Sequence, residues 1–182
     1  MKIILSILLS VVCFSIYGQE KVYQLSEVVE VKNSSVDELY LRGRQWFITS
    51  FKDSNRVIQL DDPKQRIIIG KGNFTYEPTI LSGSNVTRGR VDFIVSIELK
   101  EGRFRYVLKD FTHFGQVGTK TDFGVITDDI EFPYGKLLEG SQNWKSKVWK
   151  DIKEQVIQNS EGIISSLKES MNKPSIVTDE EW

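Results

Sequence analysis

The sequence predicts an α+β domain in which a mostly antiparallel sheet carries two helices on one face, in the order β-α-β-β-β-β-α. Three observations carry this reading. Residues 35–51 repeat apolar side chains at helical spacing, residues 91–108 alternate apolar and polar side chains across a Glu101-Gly102 turn, and residues 141–171 return to helical spacing. A sheet with one apolar face and two helices with one apolar stripe each bury all three patterns in a single core.

Taken in chain order, VYQLSEVVEVK (22–32) sets Val28, Val29 and Val31 among glutamates and reads as the first strand. The first helix starts at Ser35, because a serine followed three residues later by Glu38 can satisfy orphan backbone donors at a helix start. Its buried stripe is Val36, Leu39, Tyr40, Trp46, Phe47, Ser50 and Phe51. Gly43 sits on that stripe, where it weakens the helix and invites close approach by a strand. Leu41 and Ile48 fall on a second face, seven residues apart, as ordinary scattered surface apolars or as a contact for the long loop or another subunit.

SNRVIQL and QRIIIGKGNFTY follow as strands about a turn at Asp61-Asp62-Pro63, and Gly70 and Gly72 suggest a bulge or bend in the second. EPTILSGSNVTRG reads as a loop. Beyond it, Val91, Phe93, Val95, Ile97 and Leu99 alternate with polar residues, and pairing outward from Glu101-Gly102 sets Leu99 opposite Phe104, Ile97 opposite Tyr106 and Val95 opposite Leu108. The same register puts Glu98 opposite Arg105 on the other face. Carried to the strand's end, it places Phe111 and His113 outward with Arg103, Arg105 and Lys109. Residues 115–140 form a long glycine-rich connection, and the final helix runs from near Ser141 to about Met171 on a stripe of Val148, Ile152, Val156, Ile163 and Leu167, with a kink expected at Gly162.

Four segments also resemble a known family: VVEV, SSVDELYLRGRQWFITSF, RVIQLDDPKQRIIIGKG and VDFIVSIELKEGRFRYVLKDFTHF. They look like secreted bacterial proteins grouped as a domain of unknown function with a TATA-binding-protein-like (TBP-like) fold. The resemblance covers roughly residues 27–114 and, loosely, the last helix. It implies a curved antiparallel sheet with two helices on one side, and it implies no activity. Fold analogy does not license DNA binding.

Residues 1–18 have the layout of a secretory signal peptide: Lys2, an apolar run from Ile3 to Ile16, and small Gly18. The run is shorter than the ~20 residues of a membrane-spanning helix, so no stable membrane insertion is expected after cleavage. Cys13, the only cysteine, lies inside the run behind Val12 rather than behind the small residue a lipid-anchored cysteine wants. The expected organisation is therefore signal peptide 1–18, a single domain 19–172, and a mobile acidic tail 173–182, exported to the periplasm or the exterior.

Composition narrows the functions. A formal net charge of −1 with interspersed signs gives no field for polyanions, and Phe104 and Tyr106 point into the core rather than onto a base-stacking face, so no nucleic acid is expected. One histidine and no cysteine beyond residue 13 do not make a zinc site. No G-x-S-x-G elbow occurs, Asp122-Phe123-Gly124 stands without a phosphate loop, and Gly70-Lys71-Gly72 lacks the phosphate-loop spacing. No cofactor and no catalytic set follow. The reading is a non-enzymatic binding domain for a protein or small-molecule partner, with Arg105, Lys109, Phe111 and His113 as its surface. The alternative is a periplasmic hydrolase using the 115–140 loop acids Asp128, Asp129 and Glu131, with Asp122 nearby. The pattern names neither the ligand nor the number of subunits.

Overall fold

A computed structural model describes residues 22–51, 54–80, 84–119, 121–135 and 139–174. The expected leader and residues 175–182 of the expected tail lie outside them. The elements are β1 (Leu25–Glu30), α1 (Val36–Ser50), α2 (Ser54–Val57), β2 (Ile58–Asp62), β3 (Ile67–Tyr76), a 3-10 turn (Ser84–Thr87), β4 (Gly89–Lys100), β5 (Arg103–Gly115), β6 (Gly124–Val125) and α3 (Gln142–Asn172). The strands form one sheet in the order β1-β5-β4-β3-β2, every pair antiparallel, with β6 pairing β5 at Thr112 and His113 beyond the end of β1. Two elements were not expected: the single turn α2, where SNRV reads as strand, and the two-residue β6.

Both long helices pack on one face. α1 begins at Ser35, whose hydroxyl accepts from the Glu38 amide at 3.2 Å, while Glu101 Oε2 accepts from Val36 N at 3.0 Å. That second bond accounts for a glutamate in the β4–β5 turn, where only Gly102 holds positive φ (66°). The turn also meets the β1–α1 connection, since Val31 N donates to Gly102 O and Gly102 N donates to Ser34 O.

The glycines of β3 make room rather than bulges. A Cβ at Gly70 would lie 2.3 Å from Phe47 Cε1, and one at Gly72 2.6 Å from Phe93 Cζ, so their absence lets α1 rings and the sheet close together. The irregularities fall instead between Ile58 and Leu60 of β2 and opposite Phe93 in β5.

The core is contiguous and aromatic-rich: Leu39, Trp46 and Phe47 of α1 meet Ile68, Val95, Ile97, Phe104 and Leu108 of the sheet and Val148, Trp149, Ile152, Val156 and Leu167 of α3. Each such side chain, fully buried, contributes ~1.5–3 kcal/mol. Arg42 ties the helices together at the sheet's end, donating to Glu38 Oε1 (2.9 Å), Ser34 Oγ (3.1 Å) and the Met171 carbonyl (2.7 Å). α3 is assigned as one helix through Gly162, with Ser141 as its N-cap. The 115–140 connection is partly structured: Phe123, Ile126 and Phe132 are buried in the core, and Trp149 Nε1 donates to Asp129 O at 3.0 Å.

Candidate functional site

The face of the sheet away from the helices is the surface the sequence points to. Successive residues of a strand face opposite ways, so outside β1 stand Ser26, Val28 and Glu30, and outside β5 stand Arg103, Arg105, Val107 and Lys109. Their neighbours across the sheet include Glu98, Ser96 and Ile94 of β4 and Ile67, Ile69 and Lys71 of β3. No described element packs over them, and Val28 and Leu60 remain 53% and 43% exposed.

Arg105 and Lys109 lie where the alternation puts them. Arg105 forks onto Glu98, with Nη2 to Oε1 and Oε2 at 2.6 and 2.7 Å. Lys109 stands 3.9 Å from Asp110, its immediate neighbour. Phe111 and His113 require correction: both are buried at 0% exposure, on the helix-covered face. The cause is a β-bulge. Asp92 pairs Thr112 and Ile94 pairs Lys109, so Asp110 and Phe111 together oppose the single residue Phe93. Asp110 takes the left-handed conformation (φ 58°), which aspartate tolerates better than most residues. The extra residue turns Phe111 inward, 5.9 Å from the Phe93 ring and stacked on it.

His113 is thereby a structural bracket. The Phe123 N–H donates to its Nδ1 at 3.1 Å, so the other nitrogen carries the proton and Nε2–H donates to the Thr87 carbonyl at 2.9 Å. Rings of Tyr76 and Phe123 meet it edge-on at 5.1 and 5.7 Å. Burial pushes its pKa down to about 4, outweighing the Thr87 carbonyl and Asp122, which pull the other way. Held neutral and closed off from solvent, it is available neither to a partner nor to an incoming substrate.

The loop acids do not converge. Asp122, Asp128, Asp129 and Glu131 are all exposed. Asp122 accepts from Gly115 N at 2.7 Å, and Asp129 accepts from Thr127 Oγ1 at 2.8 Å. Asp128, Asp129 and Glu131 line none of the described depressions. Among the described residues no three metal-ligating side chains cluster, and no helix is long and apolar enough to cross a membrane.

The outer face does hold a shallow depression of about 390 Å³ beside the β4–β5 turn, lined by Val28, Glu98, Lys100, Arg103, Phe104 and Arg105. Glu98 is taken by Arg105, while Lys100 and Arg103 make no ion pair among the described residues. Sequence reasoning placed Arg103 and Arg105 on this face and singled out Arg105, but missed Val28 and Lys100. The signal that could have found Val28 is pairing of VVE with the β5 register, which sets it opposite Arg105.

Comparison with known proteins places this geometry. The model of the domain of unknown function (DUF4468) with TBP-like fold matches residues 25–114. A TBP-like protein from Parabacteroides distasonis superposes with a TM-score of 0.51 at 10% identity, covering 80% of this chain and 92% of that one. A DUF4468 family protein from Bacteroides ovatus gives a TM-score of 0.58 at 13% identity, covering 86% of this chain and 90% of that one. At these identities the likeness is one of fold. No curated protein matches the chain. Its β1-to-β5 segment, residues 25–114, is thus similar to the DUF4468 family of domains, and the chain has a TBP-like fold.

Proposed function

We propose that this protein is an exported, non-enzymatic binding domain that holds a protein partner on the outer face of its sheet. One observation carries the reading: an exposed valine, Val28, stands at the rim of a depression ringed by Lys100, Arg103 and Arg105, with the one carboxylate among its described lining residues, Glu98, already neutralised by Arg105. A partner segment presenting carboxylates around an apolar side chain matches that surface in shape and sign. The charged N-terminal start, apolar run and small residue before position 19 support export. For the hydrolase alternative, Asp128, Asp129 and Glu131 line none of the described depressions.

The test reverses charge where nothing else depends on it. Lys100→Glu with Arg103→Glu leaves the core intact and repels an acidic segment. Once a partner is isolated by affinity capture, the double variant is expected to bind it at least tenfold more weakly, with the loss concentrated in the association rate and fading at high salt. Unchanged affinity with the variant would overturn the assignment of this face.

A further inference from the structure

A second cleft, of about 560 Å³, opens on the helix-covered side of the sheet, between the end of α1, the middle of α3 and strands β3 and β4. It is distinct from the outer face, and nothing above uses it. Its volume falls in the range of about 300–1,000 Å³ usual for small-molecule sites. Its base is aromatic. Trp46 and Phe51 meet edge to face at 5.6 Å, and Phe74 and Phe93 lie 6.3 Å apart. Trp46 and Phe93 are almost wholly buried, while Phe51 and Phe74 present part of their rings to the cleft.

The described rim is polar and uncharged. Although 27% of the chain is Asp, Glu, Lys or Arg, none of these is among the described lining residues, so those residues offer a phosphorylated or carboxylated ligand no counter-charge. Amides and hydroxyls stand there instead: Ser50 at the end of α1 and Gln158 on α3, while Asn73 of β3 borders the cleft with its side chain on the outer face, beside Asp92. Ser166 is already bonded to Trp46 Nε1 at 3.0 Å and Asn159 to the Gln155 carbonyl at 2.8 Å. The side chains of Ser50 and Gln158 are committed to no partner among the described residues. Each of the two can both donate and accept.

Gly162 supplies the independent sign. Gly43, Gly70 and Gly72 are small because a neighbour presses on them, with added Cβ atoms meeting side chains at 3.2, 2.3 and 2.6 Å. Gly162, inside α3 and on the cleft wall, is different: a Cβ there would meet nothing within 4 Å. A glycine in a helix interior costs helix stability, and here no packing contact requires it. It leaves open space on the α3 wall of the cleft.

We propose that this cleft binds a neutral saccharide, one face of a pyranose ring lying on Phe51 and Phe74 and its hydroxyls reaching Gln158 and Ser50. The ring's apolar C–H face suits the electron-rich face of an aromatic side chain. Hydroxyl groups, each both donor and acceptor, match amides better than they match charges of one sign.

The test uses cellotetraose, maltotetraose and fully N-acetylated chitotetraose as probes, read by amide NMR on the full domain. At least one is expected to shift the backbone signal of Gly162 and the side-chain amide signal of Gln158. Gly162→Leu fills the cleft while improving the helix, so that variant should melt no lower than wild type and bind at least tenfold more weakly. Gln158→Ala, on an exposed position, should weaken binding severalfold without changing the melting temperature. Absence of those shifts with all three probes at millimolar concentration, shifts confined to other surfaces, or undiminished binding by Gly162→Leu would each overturn the proposal.

Discussion

Acidification should loosen this fold through one residue. His113 is neutral in the folded protein, with its pKa pushed down to about 4 by burial, whereas the unfolded chain binds the same proton near 6.5. Between these values the unfolded chain holds more protons, so stability falls as pH falls. The contribution is fully present above about pH 6.5 and lost by about pH 4. The slope approaches ~1.4 kcal/mol per pH unit, and the whole window is worth about 3 kcal/mol. Geometry supplies a second reason: protonating Nδ1 would set a new N–H against the Phe123 N–H that now donates to it at 3.1 Å. Urea unfolding of wild type and His113→Gln at intervals from pH 7.5 to 4 measures the effect. Carboxylates titrate alike in both proteins, so the stability difference between the two should shrink as pH falls through the window. Because the chain has one histidine, its ring resonances also report the folded-state pKa directly. A folded-state value near 6.5, or identical pH dependence in the two proteins, would refute the reasoning.

Other substitutions probe the packing. Gly70→Ala should destabilise by about 1–3 kcal/mol, since its Cβ meets the Phe47 ring at 2.3 Å, as measured by denaturant midpoint. Asp151 is buried and accepts from Tyr76 Oη at 2.5 Å and from the Thr79 amide at 3.2 Å. Asp151→Ala should therefore cost about 2–4 kcal/mol in the same assay, because it strands those donors. Ser160, whose buried hydroxyl has no hydrogen-bond partner among the described residues, should become Ala with neutral or higher thermal stability. Lys100→Glu with Arg103→Glu should change stability by less than about 0.5 kcal/mol, as exposed substitutions do.

Local periodicity carried much of the architecture. The pairs Leu99–Phe104, Ile97–Tyr106 and Val95–Leu108 stand in the structure as the turn at Glu101-Gly102 requires, the first long helix starts at the Ser35 cap its sequence marks, and the last starts next to Ser141 as expected. Alternation failed where one residue was inserted. Past Asp110 a period of two assigns every side chain to the wrong face, which is how Phe111 and His113 came to be read as surface. The sign was present in the spacing: Phe104, Tyr106 and Leu108 step by two, and the next inward residue, Phe111, comes three later. The β6 pairing had no such sign, because two residues carry no period. The outer depression joins Val28 of β1 to Lys100 and Arg103 at the β4–β5 turn, and the cleft joins residues 46 to 166. Both exist only through long-range contact.

Site-specific photo-crosslinking tests the central claim most directly. With a photoreactive residue at Val28, on the outer face, or at Val117, 98% exposed on the loop beyond β5, the partner should be captured from Val28 and not from Val117. Equal capture from both positions, or capture from Val117 alone, would contradict the assignment of the outer sheet face as the binding surface.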